Sequence, residues 1–258
     1  MSGARAAAPL MAALSLMACT ERDITDDGAF EIEAAVSDAI PTVITVEWST
    51  DLDGADSARL EFGPDDGYGR GAPVDLAEGP PFETVLLGNK PSTDVHFRVV
   101  VESGGVATRS EDRILTTGSV PTGLPDLSVE APGSFADGYL VTSLFAVAPA
   151  AVIVDRDGEY VWWYEAPSED FQISHAQLTA DRQHVVFWSV NVSGGAGGSS
   201  HADQELIRVS LDGTQVDTRS VADGHHDFTT MPDGGIAYIE YDVREGEEGD
   251  RIIEIDPG

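Results

Sequence analysis

Six histidines occur in the sequence, and three of them have neighbours that could support chemistry. His225 and His226 are adjacent and are followed by Asp227, while His201 lies in a glycine-rich segment. A neutral imidazole is nucleophilic near pH 7, and a carboxylate that accepts its N–H fixes the tautomer. Residues 225–227 are therefore the candidate site, in which Asp227 is predicted to orient an imidazole. The alternative is that the two histidines form a hydrogen-bonded structural feature that has no catalytic role.

The strands that carry these residues are predicted from a repeated pattern in residues 127–258. An apolar run leads into an acidic turn three times, and the turn glycines are separated by 55 and 45 residues. A second hairpin pattern recurs between these copies. The apolar runs with their turns are 152–158, 207–213 and 252–258, and the intervening hairpins are 178–188 and 230–241. Two alternating hairpins in each period are typical of four-stranded blades, so this region is predicted to be a β-propeller.

Side chains alternate along a strand, so only one of His225 and His226 can face the central channel of such a propeller. We expect that imidazole to contact the ligand and the other to turn outward. His175 begins another predicted strand and could reach the channel rim, but it is assigned a structural role. His184 is expected to be exposed in a turn, and His96 is expected to be a partly exposed structural residue.

The length of the repeated region indicates an incomplete propeller. Gly258, the last residue, is the turn glycine of the third copy, so the chain is expected to stop within a hairpin. About two and a half blades would be present, which is fewer than a closed ring needs. We therefore predict a truncated propeller that is the N-terminal part of a longer protein.

Residues 29–119 are predicted to form a separate antiparallel β-sandwich. Short β-branched runs alternate there with Gly, Pro and Asp clusters, and Trp48 is placed to be a core residue of an early strand. These runs resemble a fibronectin type III or immunoglobulin-like module, although Val95 stands where that module usually has a corner tyrosine. A linker that contains Pro and Gly is predicted at 120–126.

The N-terminus has the pattern of an export signal. Arg5 precedes an apolar stretch too short to span a bilayer, so residues 1–18 are predicted to be a signal peptide. The stretch ends in the small-residue pattern of a bacterial lipobox at Cys19, the only cysteine of the chain. We expect a lipidated Cys19, a tether at 19–28, and a location on the periplasmic face of the outer membrane or the cell surface. The alternative is an ordinary cleavage site with an incidental free thiol.

The charge of the chain excludes several partners. A net charge of −32 with a single lysine, Lys90, excludes a nucleic-acid partner and a face for anionic lipid, so the lipid anchor is the only membrane contact predicted. An anionic substrate would need a locally positive pocket of Arg or His. Asp155 and Asp157 are assigned to a turn because a calcium loop would need further acidic ligands. No metal and no cofactor are predicted.

The run from His225 to Phe228 resembles the His-His-Asp-Phe segment of the bacterial arylsulfotransferases, which are secreted β-propeller enzymes with an immunoglobulin-like N-terminal domain. The wider similarity includes residues 138–140, 152–163 and 252–256. The resemblance implies an all-β chain in which an immunoglobulin or fibronectin III-like sandwich precedes the first blades of a propeller, six-bladed when complete.

The resemblance also implies an activity. Members of this family transfer a sulfuryl group from a phenolic sulfate ester to a phenolic acceptor through a transiently sulfated histidine, without a nucleotide sulfate donor or a cofactor. His225, His226 and Asp227 would contact sulfate or orient an imidazole, whereas the sulfated nucleophile would lie beyond Gly258. The chain alone is therefore expected to be inactive. The alternative is a non-catalytic cell-envelope lipoprotein that binds a polysaccharide or a protein.

Overall fold

The computed structural model describes residues 22–130, 138–145, 148–166, 168, 170–192 and 204–256. These residues form nineteen β-strands and two short 3-10 helices, and no α-helix occurs among them. The all-β prediction is confirmed. Residues 1–18, Cys19, His201 and Gly258 lie outside the described residues. No helix in the described part of the chain is long and apolar enough to cross a membrane.

The N-terminal unit consists of nine strands in two sheets. One sheet has the order β1-β8-β7-β4-β5, with β9 also paired to β7, and the other has the order β2-β3-β6. All neighbours are antiparallel except β1 and β8. The strands are β1 (Arg22–Thr25), β2 (Phe30–Val36), β3 (Ile44–Thr50), β4 (Ser57–Gly63), β5 (Arg70–Val74), β6 (Phe82–Leu86), β7 (Asp94–Ser103), β8 (Val106–Arg109) and β9 (Arg113–Thr116). The 3-10 helices are Asp27–Ala29 and Leu76–Glu78.

The two sheets of this unit share one hydrophobic core. Trp48 on β3 is 1% exposed, and its ring centroid lies 4.7 Å from that of Phe82 and 6.5 Å from that of Phe30. Leu60 and Phe97 come from the opposing sheet and belong to the same core. The prediction that Trp48 is a core residue is confirmed. Buried and more exposed residues alternate along β3 and β4. This is expected for antiparallel sheets in which one face packs on the core and the other faces solvent.

The rest of the chain forms three antiparallel sheets in which strand order follows chain order. The first C-terminal sheet is β10 (Leu140–Leu144), β11 (Ala150–Val154) and β12 (Tyr160–Glu165). The second is β13 (Phe171–Leu178), β14 (His184–Asn191), β15 (Gln204–Ser210) and β16 (Val216–Ser220). The third is β17 (Gly224–Thr230), β18 (Ile236–Arg244) and β19 (Glu247–Ile255). The leading strands are neighbours, because β10 lies against β13 and β13 lies against β17.

The second C-terminal sheet is buried on both faces. Phe187 and Ile207 pack on one side with residues of the first sheet, while Trp188 and Leu206 pack on the other side with Phe228 of the third. This double burial explains why β14 contains the continuous apolar run 185–188, without polar residues in alternation. The three sheets are therefore stacked face to face in chain order.

The N-terminal unit is joined to the C-terminal sheets by a shared core. Ile40 and Val43, at most 1% exposed, belong to the same cluster as Trp162 of β12. The Thr42 hydroxyl donates a 2.8 Å hydrogen bond to the Val161 carbonyl. The predicted linker is also packed, because Leu124 is buried against the first C-terminal sheet. The two halves of the chain are thus held together by burial as well as by covalent linkage.

The single lysine of the chain adds an ionic contact at this junction. The Nζ atom of Lys90 lies 2.8 Å from Asp157 Oδ2 and 3.3 Å from Asp155 Oδ2, so one ammonium bridges both carboxylates of the β11–β12 turn. The Asp155 Oδ1 atom accepts the backbone N–H groups of Asp157 and Glu159, as expected for an acidic turn. Lys90 of the N-terminal unit is therefore paired with both carboxylates of a turn in the first C-terminal sheet.

We expect Lys90→Met to destabilise the chain slightly in a pH-dependent way. The hydrogen bond and charge of Lys90 hold the pKa of Asp157 below its ordinary 3.8, and the hydrogen bond to Asp157 raises the pKa of Lys90 above 10.5. The Asp157 contribution is lost as pH falls through the folded-state pKa, and the Lys90 contribution is lost as pH rises through its own. The difference in urea unfolding between the two proteins should therefore be fully present between about pH 4 and pH 10 and should decline on either side of that range.

Lys90→Arg is the matched control, because it keeps a cation at the junction. Urea unfolding of both variants across the pH range measures the effect. A difference between wild type and Lys90→Met that persists unchanged at pH 3 would mean that packing of the lysine stem, and not the ion pairs, stabilises the junction.

Candidate functional site

The candidate residues lie at an irregularity in β17. His225 pairs with Ile239 of β18 and Phe228 pairs with Tyr238, so two extra residues, 226 and 227, are inserted into the strand. Such an insertion interrupts the regular alternation of side chains and redirects them. The side chain of His226 lies outside what the structure describes. The site is therefore built from His225, Asp227 and the elements that contact them.

A comparable irregularity occurs in β13, the leading strand of the preceding sheet. The register shifts between Ile173 and Ala176, at Ser174 and His175. His175 has a φ of +47°, in the left-handed region that a residue with a Cβ adopts rarely. Such backbone costs about 1–3 kcal/mol and persists only where the surroundings enforce it. The adjacent strands β13 and β17 thus carry their irregularities side by side.

These two irregularities bring His175 and Asp227 together. The distance from His175 Nε2 to Asp227 Oδ1 is 3.4 Å, and the two side chains are 34% and 60% exposed. The same Asp227 oxygen accepts the backbone N–H of Phe228 at 2.8 Å, which fixes the carboxylate. The Phe228 ring stands perpendicular to the His175 imidazole, with centroids 4.9 Å apart. A partly open His–Asp pair therefore joins two sheets.

Gln177 determines the hydrogen bonding of the His175 imidazole. Its Oε1 accepts the Thr230 N–H at 3.1 Å and its Nε2 donates to the Phe228 carbonyl at 3.3 Å, so the amide orientation is fixed. The Gln177 Nε2 atom also lies 2.6 Å from His175 Nε2. An amide nitrogen can only donate, so neutral His175 accepts at Nε2 and carries its proton on Nδ1. Protonation at Nε2 would instead allow donation to Asp227. The Nε2 atom of the imidazole therefore has a partner in either tautomer.

His225 lies in a different environment. It is 7% exposed, and its ring stacks on Tyr241 of β18 with centroids 3.8 Å apart. Its Nε2 lies 3.0 Å from Asp250 Oδ1 on β19. The imidazole is therefore directed across its own sheet. The structure places Asp227 against His175, an imidazole outside the adjacent pair of histidines.

The polar groups near this site are predominantly acidic. Asp227 and Asp250 face the two imidazoles, and Arg251 is paired with Glu240. Burial raises the pKa of the Tyr238 hydroxyl, and the adjacent Glu240 carboxylate raises it further, so Tyr238 stays a neutral donor. An anionic substrate would thus meet carboxylates as well as imidazoles at this site.

Sequence reasoning assigned His175 a structural role, although a signal for its position was present. The two hairpins that follow His175 and Asp227 are copies of one repeat. The leading strand of the first copy ends at Leu178, and that of the second ends at Thr230. Each residue stands three positions before that strand end. Superposing the copies makes His175 and Asp227 equivalent, and equivalent positions on adjacent strands lie close together.

No group of three or more His, Cys, Asp or Glu side chains among the described residues could hold a metal ion. No protein-family model matches the chain, and no curated protein matches it. Among solved structures, Kuenenia stuttgartiensis hydrazine synthase aligns over 91% of this chain with 12% identity and a TM-score of 0.34. This chain spans 61% of that chain's length. A likeness of that size carries no argument about function.

Proposed function

We propose that the N-terminal unit is an immunoglobulin or fibronectin III-like sandwich and that the C-terminal sheets are the first blades of a β-propeller. Two sheets around Trp48 support the first assignment. The second is supported by three meander sheets that stack face to face with adjacent leading strands. The arylsulfotransferases have this order of domains. Because the export signal ends in a lipobox pattern at Cys19, we further propose that the protein is exported and anchored through Cys19.

We infer that the protein takes part in sulfuryl transfer from a phenolic sulfate ester to a phenol. The observation that carries this proposal is the His175–Asp227 pair, in which an imidazole on one leading strand meets a carboxylate on the next. Asp227 of this pair belongs to the His-His-Asp-Phe run that resembles a segment of the arylsulfotransferases. In the proposal, His175 and His226 contact the sulfate group, Asp227 orients His175, and His225 positions β17 through Tyr241.

The reaction needs two displacements at sulfur. An imidazole nitrogen attacks the sulfur, the bond from sulfur to the phenolic oxygen breaks, and the phenolate leaves with the electron pair. The acceptor phenolate then attacks the sulfur of the sulfated imidazole and releases neutral imidazole. A phenolate is a stable leaving group, so the site needs positive charge more than a strong general acid. In the proposal, the His175 imidazole interacts with the sulfate oxygens next to Asp227.

Transfer from 4-nitrophenyl sulfate to an added phenol tests this function. We expect release of 4-nitrophenolate to depend on the acceptor, and we expect peptide mass spectrometry to find a sulfated histidine. The assay should use this chain and any longer reading frame that continues it, because the nucleophile can lie outside the 258 residues.

4-Nitrophenyl phosphate is the matched control, since it has the same leaving group with a different transferred group. Its turnover should stay at background. Absence of acceptor-dependent release from a panel of phenolic sulfates, in this chain and in a longer form, would reject the enzymatic proposal.

A further inference from the structure

A cavity of about 330 Å³ lies between the second and third C-terminal sheets. Val186 and Leu206 form its wall on the second sheet and are at most 3% exposed. Ile236 and Ile255, which are register partners in β18 and β19, form the opposite wall. The cavity therefore continues from the hydrophobic contact between the two sheets, at a place where side chains do not fill the space between them.

The fourth strand explains why this space is open. In β16 the residues that point toward the third sheet are Asp217 and Arg219, because they are register partners of Arg208 and Leu206. The neighbouring strands β14 and β15 supply apolar side chains to the same face. Charged residues at these positions leave the apolar walls unfilled at the outer part of the contact. The result is a pocket with apolar walls, and its charged lining residues are Arg208, Asp217, Arg219 and Asp256.

The two arginines of the rim differ in their partners. Arg208 is bound by Asp217, with 2.9 Å from Nη2 to Oδ2. Arg219 donates from Nη1 to the Asp256 carbonyl at 3.1 Å, and no described residue supplies it with a carboxylate. The chain has 46 Asp and Glu against 14 Lys and Arg, so a guanidinium without a carboxylate partner is unexpected. Arg219 retains N–H donors that can bind an external anion.

We propose that this cavity binds a small amphipathic carboxylate, with its apolar part between the sheets and its head group on Arg219. A cavity of about 150 Å³ holds one benzene molecule, so a cavity of about 330 Å³ has room for an eight-carbon chain and its head group. Guanidinium and carboxylate match geometrically in a two-point hydrogen bond. Apolar walls with a few polar groups that can orient a ligand, here Arg219, are typical of a small-molecule site.

This site is independent of the proposed sulfuryl transfer. Its arginines are on the third and fourth strands of the second sheet, β15 and β16, whereas His175 and Asp227 are on the leading strands β13 and β17. The ligand has no sulfate group. Binding at the cavity and transfer at the histidines can therefore fail separately.

Calorimetric titration of the chain with octanoate, 1-octanol and octylammonium tests the proposal. We expect saturable binding of one octanoate per chain, with at least about tenfold weaker binding of the two other compounds. Arg219→Gln should weaken octanoate binding about tenfold and leave octanol binding unchanged, because only the carboxylate contact is removed.

Arg244→Gln is the matched control, since Arg244 lies at the end of β18 outside the cavity and the change in net charge is the same. It should leave octanoate binding unchanged. Ile255→Trp should abolish binding by filling the cavity, with circular dichroism to verify the fold. Equal affinity for octanoate and octanol, equal losses in the two arginine variants, or no saturable octanoate binding would overturn the proposal.

Discussion

Replacing His175 with asparagine is expected to slow sulfuryl transfer about 10²- to 10⁴-fold. The variant removes the imidazole that lies between Asp227 and Gln177 and, with it, the proposed contact with the sulfate. Asparagine tolerates the left-handed backbone that His175 adopts, so the strand irregularity should persist. The measurement is the rate of 4-nitrophenolate release by the transfer-competent protein, together with the melting temperature.

His96→Asn provides a matched control. His96 is also paired with an aspartate, with 2.7 Å from Nδ1 to Asp112 Oδ2, but it lies in the N-terminal unit. Its replacement should leave transfer unchanged. Asp227→Asn should reduce the rate less than His175→Asn, because it removes only the orienting partner. Full activity of His175→Asn with an unchanged melting temperature would show that the His–Asp pair is structural.

Replacing Trp162 with alanine is expected to reduce the free energy of unfolding by about 3–5 kcal/mol. Trp162 is 1% exposed, and its Nε1–H donates to the Leu211 carbonyl at 3.0 Å. Its ring belongs to the cluster that contains Ile40 of the N-terminal unit and Ile173 of the second C-terminal sheet. The substitution leaves a cavity where three parts of the chain meet, so the loss includes both burial and the hydrogen bond.

Urea unfolding monitored by far-ultraviolet circular dichroism measures this loss. Because the core is shared, the wild-type chain should unfold in one transition, and the variant should separate into two. Trp162→Phe is the control, since it keeps an aromatic ring and loses mainly the indole hydrogen bond, which is worth about 1 kcal/mol. Equal losses for the alanine and phenylalanine variants would mean that the ring does not join the two halves.

The sequence alone determined the features that depend on short stretches of backbone. The positive φ values at Gly158 and Gly213, +85° and +77°, follow from the acidic turns in which these glycines occur. The aspartates of the same turns bind their own backbone, as Asp155 and Asp212 do. The all-β class and the burial of Trp48 also follow from local composition and strand pattern. Each of these is fixed by residues within one hairpin or strand.

Tertiary structure alone decided which distant residues meet. His175 and Asp227 are 52 residues apart, and only the contact between β13 and β17 places an imidazole beside a carboxylate. The irregularity in β17 breaks the alternation on which the predicted opposite orientations of His225 and His226 depend. The burial of Leu124 likewise arises from a sheet formed by later residues. Side-chain periodicity is a local property of a strand, whereas the pairing and stacking of strands depend on free energies summed over the whole chain.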